Sequence, residues 1–146
     1  MNDCIKQLEA TGDYRIIKRF TPVTSYCEPN EATKRVGIFL DTETTGLDVD
    51  TDKIIELAMV PFEFDAAGHI YRLLPEYNGL NDPGMPIPEI ARQITGITDE
   101  MVQGQSIDVA AVKKLLSGAA IVIAHNARFD RPFCEGLLQK EMSEHN

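Results

Sequence analysis

From Arg35 onward the apolar positions fall into short, well-bounded runs, and these predict the elements of a domain. "RVGIFLD" is a compact apolar run suited to a buried central strand. "KIIELAMVPFEFD" predicts a second strand, with Pro61 expected to place its middle at a sheet edge or bulge. After the turn "DAAG", the run "HIYRLLPEY" predicts a third. Such short links make these three strands antiparallel neighbours. "PEIARQITG" has proline at its start and glycine at its end, the punctuation of a short helix. "TDEMVQ" predicts a helix start with Thr98 as N-cap, and "DVAAVKKLLSG" a helix capped by Asp108 and stopped by Gly118. "AAIVIAH" predicts a further buried strand. A closing helix follows in "RFDRPFCEGLLQKEM", where Pro132 is expected to fix the start close to Asp130. Phe129, Phe133 and Leu137 give that helix a core-facing stripe.

Before Arg35 the pattern is weaker. Residues 1 to about 20 predict a helix interrupted at "TGDY", with Ile5, Leu8, Ile16 and Ile17 as a thin apolar stripe. "TPVTSYCEPNEATKR" carries two prolines and many polar residues and predicts a linker or extended arm. The expected organisation is an N-terminal arm over residues 1–34 and a domain over 35–146.

Composition narrows the class. A chain of 146 residues with 43% hydrophobic and 25% charged residues is long enough for one ordinary core. The net charge of −9 argues against a broad phosphate-tracking surface. It leaves room for a nucleic-acid enzyme whose carboxylates are offset locally by metal ions. Cys4, Cys27 and Cys134 are widely spaced and form neither a metal-ligand pattern nor a disulfide framework. The polar N-terminus and the absence of a membrane-length apolar run predict a cytoplasmic protein without a membrane partner.

Candidate chemistry gathers at two strand ends. In "FLDTETTGLD", Asp41 and Glu43 stand two apart on a strand and therefore face the same way. Like charges held that close call for a counter-ion, and Mg²⁺ or Mn²⁺ suits a hard oxygen donor set. A solvated turn is the alternative for such a stretch. A phosphatase-type nucleophilic aspartate would want aspartate where Glu43 stands. In "IVIAHNARFDRPF", His125 and Asn126 end a second strand and Asp130 follows at a helix start. Taken singly, His125 reads as a loop histidine and Asp130 as a first-turn acid favoured by the helix dipole. In an open sheet with these two strands adjacent, three carboxylates would meet at one edge, the arrangement of a two-metal phosphoryl-transfer site.

The two stretches together resemble the first and second motifs of the DnaQ-like (DEDD) 3′–5′ exonucleases, the family of the polymerase III proofreading subunit and ribonuclease T. The intervening "PIPEIARQITGITDEMVQGQ" is similar to that family's connecting segment. The resemblance implies an α/β, ribonuclease H-like mixed sheet, three antiparallel strands followed by parallel ones, flanked by helices. It implies two divalent cations, with Asp41 bridging both, Glu43 on the nucleophile side and Asp130 serving the second. Thr42 and Thr44 would hold the 3′-terminal nucleotide through their backbone, Leu47 would pack on its base or sugar, and His125, Asn126 and Phe129 would lie along the channel. The implied reaction is release of nucleoside monophosphates from single-stranded 3′ ends, DNA in preference to RNA, with a DNA polymerase subunit as a candidate partner.

Two departures from the family pattern bear on this. No H-x-x-x-x-D follows Asp130; His145 is the one histidine there, so the general base and a fourth acidic ligand are missing and the domain is expected to be C-terminally truncated and weakly active or inactive. Thr95 stands where many proofreading subunits have histidine before "GI". The competing expectation is an inactive exonuclease-like module that binds nucleic-acid ends or a polymerase partner.

Overall fold

The computed structural model describes Asn2–Glu144 apart from Lys18, Phe20, Pro22, Thr24 and Pro29. His145 and both prolines of the arm therefore lie outside the described residues. The longest strands are β1 (Arg35–Thr44) and β2 (Ile54–Phe64), paired antiparallel with Asp41 opposite Ala58 and Glu43 opposite Glu56. On the far side of β2 lie β3 (Ile70–Leu73) and β4 (Tyr77–Leu80), both antiparallel to it. On the other side of β1, β5 (Ile121–Ile123) runs parallel. The sheet is thus mixed, antiparallel strands first and then a parallel one, as expected.

Burial alternates along β1. Ile38, Leu40, Thr42 and Thr44 are buried, while Phe39 and Asp41 are exposed. The buried face packs with Leu57 and Met59 of β2 against α4 (Val109–Gly118) and α5 (Ala127–Glu144), through Val109, Val112, Phe133 and Cys134. A smaller cluster joins Ile55 to α2 (Glu89–Thr95) and α3 (Asp99–Val102) through Ile87, Ala91, Ile97 and Val102. The sequence-predicted punctuation is present: Gly96 ends α2 at φ 73°, and the Asp108 side chain accepts from the Ala111 N–H at 2.9 Å. Thr98 stands at the N-cap of α3 without a side-chain cap bond.

Several expectations are corrected. Pro61 sits in the interior of β2, which is a central strand, and is fully buried. Its carbonyl faces the β3 side and accepts from the Leu74 N–H at 2.8 Å. The N–H that proline lacks would point to that same side, where β3 has ended and β4 has not begun, so the proline forfeits only the reciprocal bond to Leu74. The run read as a third strand, residues 69–77, forms β3 over Ile70–Leu73, and β4, which the sequence reading did not name, begins at its last residue. β5, expected to be buried, is 38–47% exposed at all three residues. It has β1 on one side and, among the described residues, no strand on the other. α5 starts at Ala127, with the Asn126 carbonyl accepting from the Phe129 and Asp130 N–H groups, so Pro132 lies in its second turn instead of its first. At the N-terminus, α1 (Asn2–Ala10) stops well before residue 20, and Ile16 and Ile17 lie beyond it, exposed. The arm then touches the sheet, where Tyr26 and Cys27 donate backbone N–H bonds to the Tyr71 carbonyl.

Candidate active site

The C-terminal end of β1 delivers Asp41 and Glu43 to the face of the sheet opposite the α4–α5 layer. Asp41 is exposed and Glu43 half-buried. Glu56, directly across the ladder from Glu43, joins them on that face. Burial, first, and then the charges of Asp41, Glu56 and Asp130 push the Glu43 carboxyl above its ordinary range. Such a field of uncompensated negative charge is what a hard cation relieves.

Asp130 arrives from the other side. It lies in the first turn of α5, is 4% exposed, and accepts a hydrogen bond from Thr42 Oγ1 at 2.8 Å. Thr42 and Asp41 are neighbours on a strand and so face opposite sides of the sheet. The structure therefore brings Asp41 and Glu43 together on one face and holds Asp130 buried against Thr42, still near enough for its charge to act on Glu43. Among the described residues no group of three or more His, Cys, Asp or Glu side chains is gathered closely enough to hold a metal ion.

Beside Glu43 opens a cleft of about 430 Å³, in the range typical of ligand pockets. One wall is the end of β1 and its following turn, Thr42 to Leu47; the other is α2, through Ile90, Ala91, Ile94 and Thr95; Phe129 of α5 closes it. Leu47, Ile90 and Ile94 are 85%, 72% and 77% exposed, an unusual density of bare aliphatic surface around one opening. The hydroxyls of the lining are committed as donors within the protein: Thr42 to Asp130, Thr44 to the Gly46 carbonyl, Thr45 to Asp52, Thr95 to the Ala91 carbonyl. The cleft thus offers a ligand apolar contact and acceptor oxygens.

Of the residues singled out from the sequence, Thr42, Glu43, Thr44, Leu47 and Phe129 line this cleft. His125 and Asn126 are exposed in the turn between β5 and α5 and do not line it. Sequence reasoning missed Ile90 and Ile94. Their signal was present in "PEIARQITG", where Ile90 and Ile94 share one helical ridge and Ala91 another, so only one ridge can be the core face.

Residues 38–145 match the RNase T-type exonuclease family. The chain belongs to the DnaQ-like exonuclease family. It is 33% identical over 110 residues to the PolC-type DNA polymerase III of Lacticaseibacillus paracasei, an alignment covering 74% of this chain and 7% of that protein. With the PolC-type polymerase III of Listeria welshimeri the identity is 39% over 102 residues, covering 68% and 7%. The chain therefore spans a small fraction of these relatives. Among solved structures it resembles E. coli exonuclease I in complex with a dA13 oligonucleotide, at a TM-score of 0.59 and 18% identity, covering 73% of this chain and 24% of that one. A product-bound exonuclease I gives the same TM-score at 17% identity. These likenesses establish the fold as that of the exonucleases, and the chain is a nuclease domain by family.

Proposed function

We propose that this domain acts as a metal-dependent 3′–5′ exonuclease on single-stranded nucleic-acid ends, DNA in preference to RNA. The observation that carries the reading is the placement of Glu43, with Asp41 beside it on the same strand face, against an apolar cleft of nucleotide-accommodating size. That an exonuclease I of the same fold binds a DNA oligonucleotide supports it. The donor types suit a hard divalent cation: Asp41, Glu43 and Glu56 share one face without being gathered into a ready-made site, and burial, followed by the charges of its carboxylate neighbours, raises the Glu43 carboxyl. Asp41 and Glu43 would hold Mg²⁺ or Mn²⁺ first, with Asp130 joining once released from Thr42. When bound, such cations supply Lewis acidity that activates water and offsets charge developing on the leaving oxygen.

The chain's own residues do the rest. The Thr42–Leu47 turn and the Ile90–Ile94 ridge take the terminal base by apolar contact and exclude water around it, which sets the scissile phosphodiester against Glu43. With the threonine hydroxyls of the lining already donating within the protein, side-chain donors contribute little to reading the base. Neither described histidine lines the cleft, since His69 lies in the β2–β3 turn and His125 beside α5. Among the described residues, therefore, no histidine stands at the cleft to take a proton from the attacking water, and a site without a placed base turns over roughly 10²–10⁴-fold more slowly than one that has it. This same feature favours the second reading, a module that binds ends without cleaving them.

The deciding experiment incubates the chain with a 5′-labelled single-stranded DNA and Mn²⁺ and resolves the products by length. Slow shortening from the 3′ end, abolished in Asp41→Ala, is the expected result. Retention of the 3′ end on the protein without any shortening leaves the end-binding module. Activity that survives Asp41→Ala removes Asp41 from the site.

A further inference from the structure

The turn after β1 is built around a carboxylate that none of this chemistry uses. Asp52, half-buried, accepts from Thr45 Oγ1 with one oxygen and from the Asp48 N–H with the other, each at 2.9 Å. These two bonds bracket Gly46 and Leu47. Thr45 is fixed on its other side, its N–H donating to the Lys53 carbonyl at 2.9 Å and its hydroxyl oxygen accepting from the Lys53 N–H at 3.0 Å. Asp52 returns its own N–H to the Asp48 carbonyl at 2.7 Å. Gly46 lies directly beneath the carboxylate, where a Cβ would overlap Asp52. Leu47 itself is 85% exposed, so packing does little to hold it, and its position follows from its two neighbours.

We propose that Asp52 is a positioning residue for the cleft: it locks the Thr45–Asp48 turn so that Leu47 stands as the wall facing Ile90 and Ile94. The inference rests on the reading that a single-stranded 3′ end occupies this cleft. A wall that is already ordered spares the entropy of ordering it when the ligand binds, so Asp52 contributes to affinity without touching the ligand. Asp52 and Leu47 therefore act as one unit, and their effects on binding are not additive.

The test is a double-mutant cycle on the intact chain. Its probe is a 5′-fluorescein dT oligonucleotide whose 3′-terminal linkage is a phosphorothioate, which resists cleavage, and binding is followed by fluorescence anisotropy in Mn²⁺. Asp52→Ala and Leu47→Ala should each weaken binding, on the order of three- to tenfold. The double variant should bind as Leu47→Ala does, and Asp52→Asn, which keeps one acceptor oxygen, should recover part of the affinity. Wild-type binding by either single variant, or multiplication of the two losses, overturns the proposal.

The chain contains no tryptophan, so Leu47→Trp supplies a single reporter of the turn. Its anisotropy should fall when Asp52→Ala is added and fall less with Asp52→Asn; unchanged anisotropy refutes the locking role. If the wild-type chain shows no preference for free 3′ ends, the reading of the cleft fails instead, and the reporter alone decides whether Asp52 orders the turn. Should Asp52→Ala lose its cooperative melt, Asp52→Asn carries both measurements.

Discussion

Replacing Thr42 by valine keeps the β-branched shape that suits a strand such as β1 and deletes one atom's chemistry, the hydroxyl that donates to Asp130. Both partners are buried, at 7% and 4% exposure, so water does not readily replace the lost bond. Hydrogen bonds to charged groups contribute roughly 1.5–3 kcal/mol, and a buried acceptor left unpaired forfeits at least that much. Thr42→Val should therefore destabilise the domain by about 1.5–3 kcal/mol. With a urea m-value of roughly 1–3 kcal/mol/M, the unfolding midpoint falls by about 1 M while the slope stays constant. The assay is urea unfolding followed by far-UV circular dichroism, in EDTA so that no cation competes for the carboxylate. Adding Asp130→Leu to Thr42→Val should recover part of the loss, because a pair made wholly apolar leaves no orphaned acceptor. A Thr42→Val variant within about 0.5 kcal/mol of wild type, the range of an ordinary surface change, would refute the pairing. The inward orientation of Asp130 would fall with it.

Two further predictions test the sheet. Glu43→Gln should raise the melting temperature at neutral pH in EDTA. The folded-state pKa of Glu43 is raised above 4.5, so its contribution is fully favourable below that value and is lost as pH rises through the folded pKa. The gain should accordingly vanish in melts near pH 4, and a gain that persists there contradicts the assigned repulsion. Gly37→Ala should destabilise by about 1–3 kcal/mol, because the new methyl overlaps the Phe62 ring, which stacks on Phe39 with centroids 4.6 Å apart. Chemical denaturation of the variant decides it, and a neutral result would mean that Phe62 does not lie over Gly37.

The antiparallel core was legible because its signals are local. Apolar runs bounded by Gly46, Gly68 and Asp65 mark β1 and β2, and Gly96 and Asp108 punctuate α2 and α4. What misled was the number of neighbours a strand has, which no local pattern encodes. "IVI" reads as buried whether it lies inside a sheet or, like β5, at its edge with half its surface bare. Pro61 misled for the converse reason. A proline argues for an edge only if a central strand must make every ladder bond, and past the end of β3 Pro61 forfeits one bond while its carbonyl still accepts from Leu74.

The carboxylates show the same limit at the level of the site. Strand periodicity sends Asp41 and Glu43 one way and Thr42 the other, and that much follows from the sequence. Whether Asp130 joins the first group or pairs with the second depends on the rotation of α5 about its axis. Phe129, Phe133 and Leu137 settle that rotation only coarsely, since a stripe of that width tolerates a neighbouring position on either flank. In the structure the helix turns Asp130 onto Thr42. If a cation binds at Asp41 and Glu43 as proposed, Asp130 would reach it either through the oxygen that Thr42 does not engage or by giving up the buried hydrogen bond. On that proposal, the hydroxyl between the two motif acids governs how freely the third could turn toward them.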